Sequence, residues 1–365
     1  MRIKAATVRH LEVPIDREVV TAFGVMRSRH AVFLVVEDDA GNRGVGESWV
    51  NFPHWAPWER VAAFEHAFIP YLEGKEVADV AEFVDTMYAA FRGPAVQSGT
   101  VGTLLQATCA VELALWDLAA KREEKPLSRL LFDDPADRVR VYASGINSPI
   151  PFDLVDEHLA CGVDIFKLKL GFGDDEDRTN LEALVKHLDG RAGVAVDVNR
   201  GWTRVKALEW LDVLADYDVQ WLEEPLHAEE EASLVELYEA DKVPIAMGEN
   251  VLLEPTSDAS TLADLPGHVI QPDLTKYAPL HVVDRRLSEV AATGKRLVPH
   301  FLGSAPGQAA SLQFASGCPA ALVELDINPN PLRTDLMTEP FEITDGCIRV
   351  PDAPGIGWTL REEGA

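Results

Sequence analysis

Apolar positions alternate with polar ones or run together over residues 2–14 and 31–50, and the cluster Glu37-Asp38-Asp39-Ala40-Gly41-Asn42 reads as a turn between two strands. The chain is therefore expected to open with an antiparallel hairpin region. From Glu59 to Leu72, Ala78 to Phe91 and Thr103 to Arg122 the apolar residues recur at three- and four-residue spacing, the pattern of helices with one buried face, and Lys125-Pro126 marks a stop. Strands followed by a block of helices describe a separate α+β domain over residues 1–125.

From Val139 the pattern changes to short runs rich in β-branched residues, separated by helix-length segments. Eight candidate strands result: Val139–Ala143, Ile165–Leu170, Val194–Val198, Gln220–Glu224, Ile245–Gly248, Val269–Pro272, Arg296–Pro299 and Ala321–Leu325. Alternation of this kind predicts an α/β barrel over residues 126–327. The tail, residues 328–365, is rich in Pro and Gly with one short strand-like piece, and is expected to pack back on the first domain.

The strand ends carry the chemistry. Reading on from Lys169, the acids and bases are Asp197, Glu223, Glu249, Asp273, His300 and Glu324, at successive steps of 28, 26, 26, 24, 27 and 24 residues. That is the period of one strand plus one helix, and in a barrel of this type every strand end opens onto one face, where residues distant in sequence meet in one pocket.

Composition narrows the possibilities. Hydrophobic residues make up 47% and charged residues 25%, an ordinary globular balance. No apolar run reaches the ~18 residues of a membrane span and the start resembles a strand more than a leader, so a soluble, unprocessed, cytoplasmic protein without membrane contact is expected. Cys109, Cys161, Cys318 and Cys347 are scattered without metal-binding spacing and are read as reduced, mostly buried thiols. A net charge of −27 argues against a nucleic-acid partner, so an anionic substrate must be drawn in by local positive charge.

Side chains two apart on a strand share a face, so Lys167 and Lys169 both point into the barrel, as do Asp197 and Asn199. Of the adjacent Glu223 and Glu224 only one can do so, and Glu223 is chosen. Three carboxylates at consecutive strand ends repel one another unless a cation neutralises them, and hard oxygen ligands suit Mg2+. Asp197, Glu223 and Glu249 are therefore the expected metal ligands, in preference to helix caps or loop salt bridges. Lys169 is the expected base, its pKa lowered by desolvation and a neighbouring cation. Lys167 is expected to hold the substrate carboxylate and to depress its neighbour. Asp273 would orient His300 as a second base or a general acid. Glu324, if buried and protonated, would donate a hydrogen bond to a developing enolate oxygen, with a salt bridge as the competing reading.

Together these residues resemble the enolase superfamily, and within it the mandelate racemase subgroup. The likeness rests on Ala114-Leu115-Trp116-Asp117-Leu118-Ala119, the Lys-x-Lys strand, Asp197-x-Asn199, Trp221-Leu222-Glu223-Glu224-Pro225, Gly248-Glu249-Asn250, Pro272-Asp273-x-x-Lys276, His300 and Glu324. It implies a modified TIM barrel, (β/α)7β, with an N-terminal α+β capping domain, one Mg2+ on the three carboxylates, and abstraction of the α-proton of a carboxylate substrate to a metal-stabilised enediolate. It also implies a homo-oligomer, a dimer or an octamer. Lys276-Tyr277-Ala278-Pro279 stands where the family usually has Gly-Gly, which bears on the reach of Lys276 into the substrate site.

In the family, mobile cap loops choose the substrate, and the matching stretches here are near Thr21–Arg29 and Trp49–Trp58. Phe23, Val25, Met26, Trp49, Phe52, Trp55 and Trp58 make them apolar, and Phe23, Met26, Phe52 and Trp55 are the candidate substrate contacts alongside Asn199 and Lys276. That character favours racemisation or epimerisation of a small acid; dehydration of an acid sugar by the same Lys169 and His300 is the alternative.

Overall fold

The computed structural model describes residues 1–21, 24–256 and 262–361. The chain opens with an antiparallel meander of β1 (Ile3–Thr21), β2 (Gly24–Asp38) and β3 (Arg43–Ser48). The β1–β2 ladder runs from Ile3 opposite Asp38 to Thr21 opposite Gly24. The segment expected as a loop near Thr21–Arg29 is thus mostly strand. Val19 and Val20 face Met26 and Val25 across the ladder, and β-branched pairs of this kind favour the extended, paired form.

Behind the sheet lies the Val101–Arg122 helix. Its fit against β3 depends on Gly44 and Gly46, where a Cβ would run into the helix backbone at Ala114 and Ala110. Among the described residues this is the one helix long and apolar enough to cross a membrane, by length and composition. Most of it is buried in the cap core, and it carries Glu112 and Asp117 among its buried residues. Its apolarity answers to packing on both sides, against the sheet and against the Val80–Ser98 helix.

The eight expected barrel strands are present: β4 (Arg138–Ile146), β5 (Ile165–Lys169), β6 (Gly193–Asp197), β7 (Leu222–Glu223), β8 (Ile245–Met247), β9 (Val269–Ile270), β10 (Arg296–Leu297) and β11 (Leu322–Asp326). Neighbours from β4 to β10 pair in parallel, and β11 pairs in parallel with β4, Leu322 opposite Arg140 and Asp326 opposite Ser144. A bond from Glu324 N to Pro299 O, 3.4 Å, links β11 to the end of β10 and completes the ring. Inside it, Tyr142, Ile165, Ala195, Trp221, Ala246, Val269, Val298 and Leu322 form one apolar layer, with one residue contributed at each strand. Large and small side chains share the layer, which plugs the barrel below the site.

After a short helix, Pro331–Thr334, the tail forms a hairpin, β12 (Ile343–Thr344) with β13 (Cys347–Arg349), and β13 adds antiparallel to the start of β4. Beyond it, Gly355 O accepts from Leu127 N (2.7 Å), and Ile356 N donates to Asp117 of the cap helix (2.8 Å). The four cysteines are unpaired; Cys109 and Cys318 are buried, Cys161 and Cys347 partly exposed.

Candidate active site

Two residues above the apolar layer, the strand period delivers a second, ionic layer. Lys167 follows Ile165, Asp197 follows Ala195, Glu223 follows Trp221, Gln271 follows Val269, His300 follows Val298 and Glu324 follows Leu322. A further step brings Lys169, Asn199 and Asp326 to the barrel mouth, and Asp273 to its place behind His300. This repetition converts a sequence period into a polar pocket floored by hydrocarbon.

Lys167 is fully buried, 2.5 Å from Glu223 Oε1, 2.7 Å from Glu324 Oε1 and 3.8 Å from Asp197, with its amine over the Tyr142 ring. Burial alone would lower its pKa, but Glu223 and Glu324 outweigh that and hold it well above the usual lysine range. The other Glu223 oxygen accepts from Gln271 Nε2 (2.8 Å) and Trp221 Nε1 (3.1 Å). Lys169 contacts Asp197 and donates to Asn199 Oδ1 at 3.1 Å. Here too burial pulls downward and the Asp197 charge prevails, so the amine is raised where the sequence led us to expect depression. The physical reason is the direct contact with Asp197, whose charge exceeds the opposing effect of Lys167.

On the other side, His300 Nδ1 lies 2.7 Å from Asp273, and Nε2 lies 2.9 Å from Glu249 and 3.6 Å from Glu324. Against the effect of burial, Glu249 and Glu324 lift the imidazole well above its ordinary pKa. Glu324 is ionised: burial would raise it, but Lys167 and His300 bring it down to about 2. The salt-bridge reading of Glu324 therefore describes this structure, not the neutral donor. Lys276 reaches Asn250 Oδ1 (2.8 Å) and Glu249 (3.3 Å) between the rings of Trp49 and Tyr277.

A cavity of about 260 Å³ opens over these groups. Lys169, Asn199, Glu249, Lys276, His300 and Glu324 line it. Lys167, expected on the substrate carboxylate, does not; it is enclosed one layer below. Of the apolar cap residues, Met26, Phe52 and Trp49 line the cavity, together with Val19. Trp55 instead stands 52% exposed with its indole N–H on Glu59, and Trp58 and Val25 are likewise exposed. Phe23 lies outside the described residues.

Sequence reasoning missed the polar wall contributed at the ends of β4 and β11: Ser144, Asn147, Asp326 and Asn328. Asp326 and Asn328 were within reach, since they continue the two-residue period from Glu324. Asn147 was not, because β4 changes register between Ala143 and Ile146. The amide groups of Asn147 and Asn328 both donate to Gly145 O (2.8 and 2.7 Å), and the buried Asn147 Oδ1 has no partner. Gly145 itself has φ +81°, and a Cβ there would crowd Asn328 and Asp326. Arg29, from β2, also reaches the cavity and pairs with Asp326 at 2.7 Å, joining cap to barrel.

Among the described residues, no three acids, imidazoles or thiols are already gathered as a metal shell. Asp197, Glu223 and Glu249 each face a protein cation instead. Their chemistry nevertheless fits a hard divalent ion. They are carboxylates from consecutive strands, Asp197 lying directly opposite Glu223 in register, and burial, with Asp197 and Glu324 close by, pushes Glu223 up to about 7 against the pull of Lys167.

Residues 3–131 match the family described as mandelate racemase/muconate lactonizing enzyme, N-terminal domain, and residues 153–364 match the enolase C-terminal domain-like family. The crystal structure of a mandelate racemase/muconate lactonizing enzyme from Bordetella bronchiseptica RB50 superposes with a TM-score of 0.86 at 34% identity, over 99% of this chain and 98% of that one. A racemase from Streptomyces coelicolor A3(2) with bound magnesium gives a TM-score of 0.84 at 25% identity, covering 98% and 97%. D-galactarolactone cycloisomerase of Agrobacterium fabrum is 26% identical over 100% of this chain and 97% of its own length. L-talarate/galactarate dehydratase of Salmonella typhimurium is 28% identical over 80% and 74%.

Proposed function

The chain belongs to the mandelate racemase/muconate lactonizing enzyme family of the enolase superfamily, and from that premise we propose that it dehydrates a small polyhydroxy carboxylic acid. One observation carries the choice: the cavity that holds Lys169 and His300 is walled by Ser144, Asn147, Asn199, Asn250 and Asn328. A hydroxylated chain needs many hydrogen-bonding partners, and these supply them. The apolar cap residues that favoured a racemase are in part directed elsewhere, Trp55 and Trp58 being exposed.

In this reading the substrate carboxylate is held by Lys276, beside the acids Asp197, Glu223 and Glu249, which would hold Mg2+. When bound, Mg2+ supplies a Lewis acid for the substrate carboxylate and competes with the lysines for those three acids. Lys169, as the free amine, takes the α-proton, and the electron pair enters the Cα–carboxyl bond to give the enediolate. His300, oriented by Asp273, passes its proton to the β-hydroxyl, which leaves as water while the electron pair forms the Cα–Cβ double bond. The enol then tautomerises to a 2-keto acid. Lys167 acts from below, fixing Glu223 and Glu324. Epimerisation is the second reading, favoured by the apolar Val19, Met26 and Phe52 that also line the cavity; His300 would then return a proton to the face opposite Lys169.

Incubating the protein with Mg2+ and a panel of acid sugars in D2O tests both. Formation of a 2-keto acid supports dehydration; α-deuteration with inversion and no keto acid supports epimerisation. No exchange with any acid overturns the whole assignment.

A further inference from the structure

The cap segment Glu47–Asn51 bears on the two loops that carry the proposed acid. Glu47, the next-to-last residue of β3, is 2% exposed and accepts hydrogen bonds from Ser304 N at Oε1 (2.7 Å) and Gly307 N at Oε2 (2.8 Å). These N–H groups begin the Ala305–Ala315 helix, whose cap residue Ser304 makes no side-chain capping bond. A carboxylate from another domain thus replaces the usual cap, on the end of the helix that favours negative charge. Gly303 and Gly307 leave the room, since a Cβ on either would press on the Glu47 carboxylate and the Phe301 ring.

The loop between His300 and that helix is tied at every residue. His300 N donates to Pro272 O (3.2 Å) and Phe301 N to Glu324 (3.3 Å). Leu302 O accepts from Asn51 Nδ2, and Gly303 O from Asn330 Nδ2 (2.8 Å). On the Asp273 side, Trp49 N donates to Thr275 O (2.8 Å), while Thr275 N and Oγ1 both donate to Asp273 Oδ1 (2.7 Å each). Three residues of this five-residue cap segment, Glu47, Trp49 and Asn51, thereby bridge the loop that fixes Asp273 and the loop that follows His300. Their own position is fixed in turn by the close seating of Gly44 and Gly46 on the cap helix.

We propose that Glu47 is a positioning residue for His300, and that the Glu47–Asn51 segment sets the geometry of the Asp273–His300 pair from the cap. The inference rests on the proposed role of His300 as acid. It assigns the cap a part in the second half of the reaction, proton delivery to the leaving hydroxyl, separate from proton removal by Lys169.

The test compares wild type, Glu47→Gln and Asn51→Ala on an acid sugar that the wild type dehydrates, with Mg2+ in D2O. Two rates are followed: α-hydrogen exchange, which reads Lys169, and 2-keto acid formation, which also needs His300. Displacing a reacting group by an ångström costs on the order of 10²-fold. Glu47→Gln should therefore lower keto-acid formation by that order while exchange stays within a few-fold, and Asn51→Ala should do the same to a smaller extent. A fall of both rates by one common factor in both variants, or no change in either, overturns the inference. Wild type that exchanges without forming any keto acid overturns the dehydration reading first, a result distinguishable because it needs no variant.

Discussion

Lys167→Met is the sharpest probe of the buried layer. The amine sits 2.5 Å from Glu223 and 2.7 Å from Glu324 and is fully buried, so methionine of similar length removes one cation from between two acids. Breaking a buried ion pair by deleting one partner costs about 3–5 kcal/mol, because the remaining charge is left unpaired. The acids can escape by taking up protons: Glu223, already raised to about 7, does so readily at pH 7, whereas for a carboxyl of ordinary pKa the step costs about 3 kcal/mol. We therefore expect a loss of ~3–5 kcal/mol at pH 7 in urea unfolding with EDTA present. The sign with pH is fixed by Glu324. In the wild type its pKa is depressed to about 2, so its contribution is complete above ~4.5 and is lost only as pH falls through ~2. In the variant Glu324 titrates higher, so the deficit should shrink by up to ~1.4 kcal/mol per pH unit between pH 7 and 5, while Glu223, already raised to about 7 in the wild type, adds little to that slope. Adding Glu324→Gln should recover part of the loss. A deficit under ~1 kcal/mol at pH 7, or one that does not change on acidification, would refute the idea that Lys167 neutralises both acids.

Three further outcomes are expected. Asp273→Asn keeps the shape but removes the charge 2.7 Å from His300 Nδ1, so keto-acid formation should drop by about 10²–10⁴-fold with the melting temperature little changed; equal loss of α-exchange would contradict the division of labour. Burial pushes the Glu47 carboxyl up to about 7 from 4.5, so the folded state binds its proton more tightly; its own contribution to stability should be complete below pH 4.5 and fall by ~3 kcal/mol as pH rises to 7, and the difference between wild type and Glu47→Gln in denaturant titrations should show that slope. Mg2+ at a hundred times its Kd should stabilise the wild type by about 2.7 kcal/mol and leave Asp197→Asn unaffected, read by calorimetry without substrate; equal stabilisation of both would remove Asp197 from the ligand set.

The barrel was legible because its signal is local and repeated: β-branched runs at a constant period, each ending in a polar residue. The same period placed Lys169, His300 and Asp273 together, as their contacts with Asp197 and Glu249 and with each other display. What the period could not carry was the pairing between strands. Lys167 and Lys169 look equivalent in sequence, yet one is sealed among Glu223 and Glu324 and the other opens to the cavity, a difference of one layer in depth. Nor could it distinguish Phe52 from Trp55, three residues apart in one apolar stretch, since only the fold sends the first inward and the second to solvent. Arg29 and Glu47 were invisible for another reason: their partners, Asp326 and the backbone of Ser304 and Gly307, lie more than 250 residues away.

The charge distribution leaves one question of access, and it yields a measurable sign. Lys169, Lys276, His300 and Arg29 line the cavity together with Glu249, Glu324 and Asp326, while Asp197, Glu223 and Asp273 stand behind them, so the lining holds four cations against three acids although the chain carries −27 overall. A substrate must cross the outer field before it feels the inner one. Treating the protein as a sphere of radius roughly 25 Å, a monoanion at its surface is repelled by about 2.4 kcal/mol at 10 mM salt and about 1.1 kcal/mol at 150 mM, where the Debye length shrinks from ~30 to ~8 Å. The difference corresponds to about tenfold in encounter or binding. Hence kcat/KM for a monocarboxylate should rise by up to an order of magnitude across that range and then level off, because the buried cations are little screened. A decline with salt would mean that the lining cations dominate even at a distance, and that the acidic exterior plays no part in admitting the substrate.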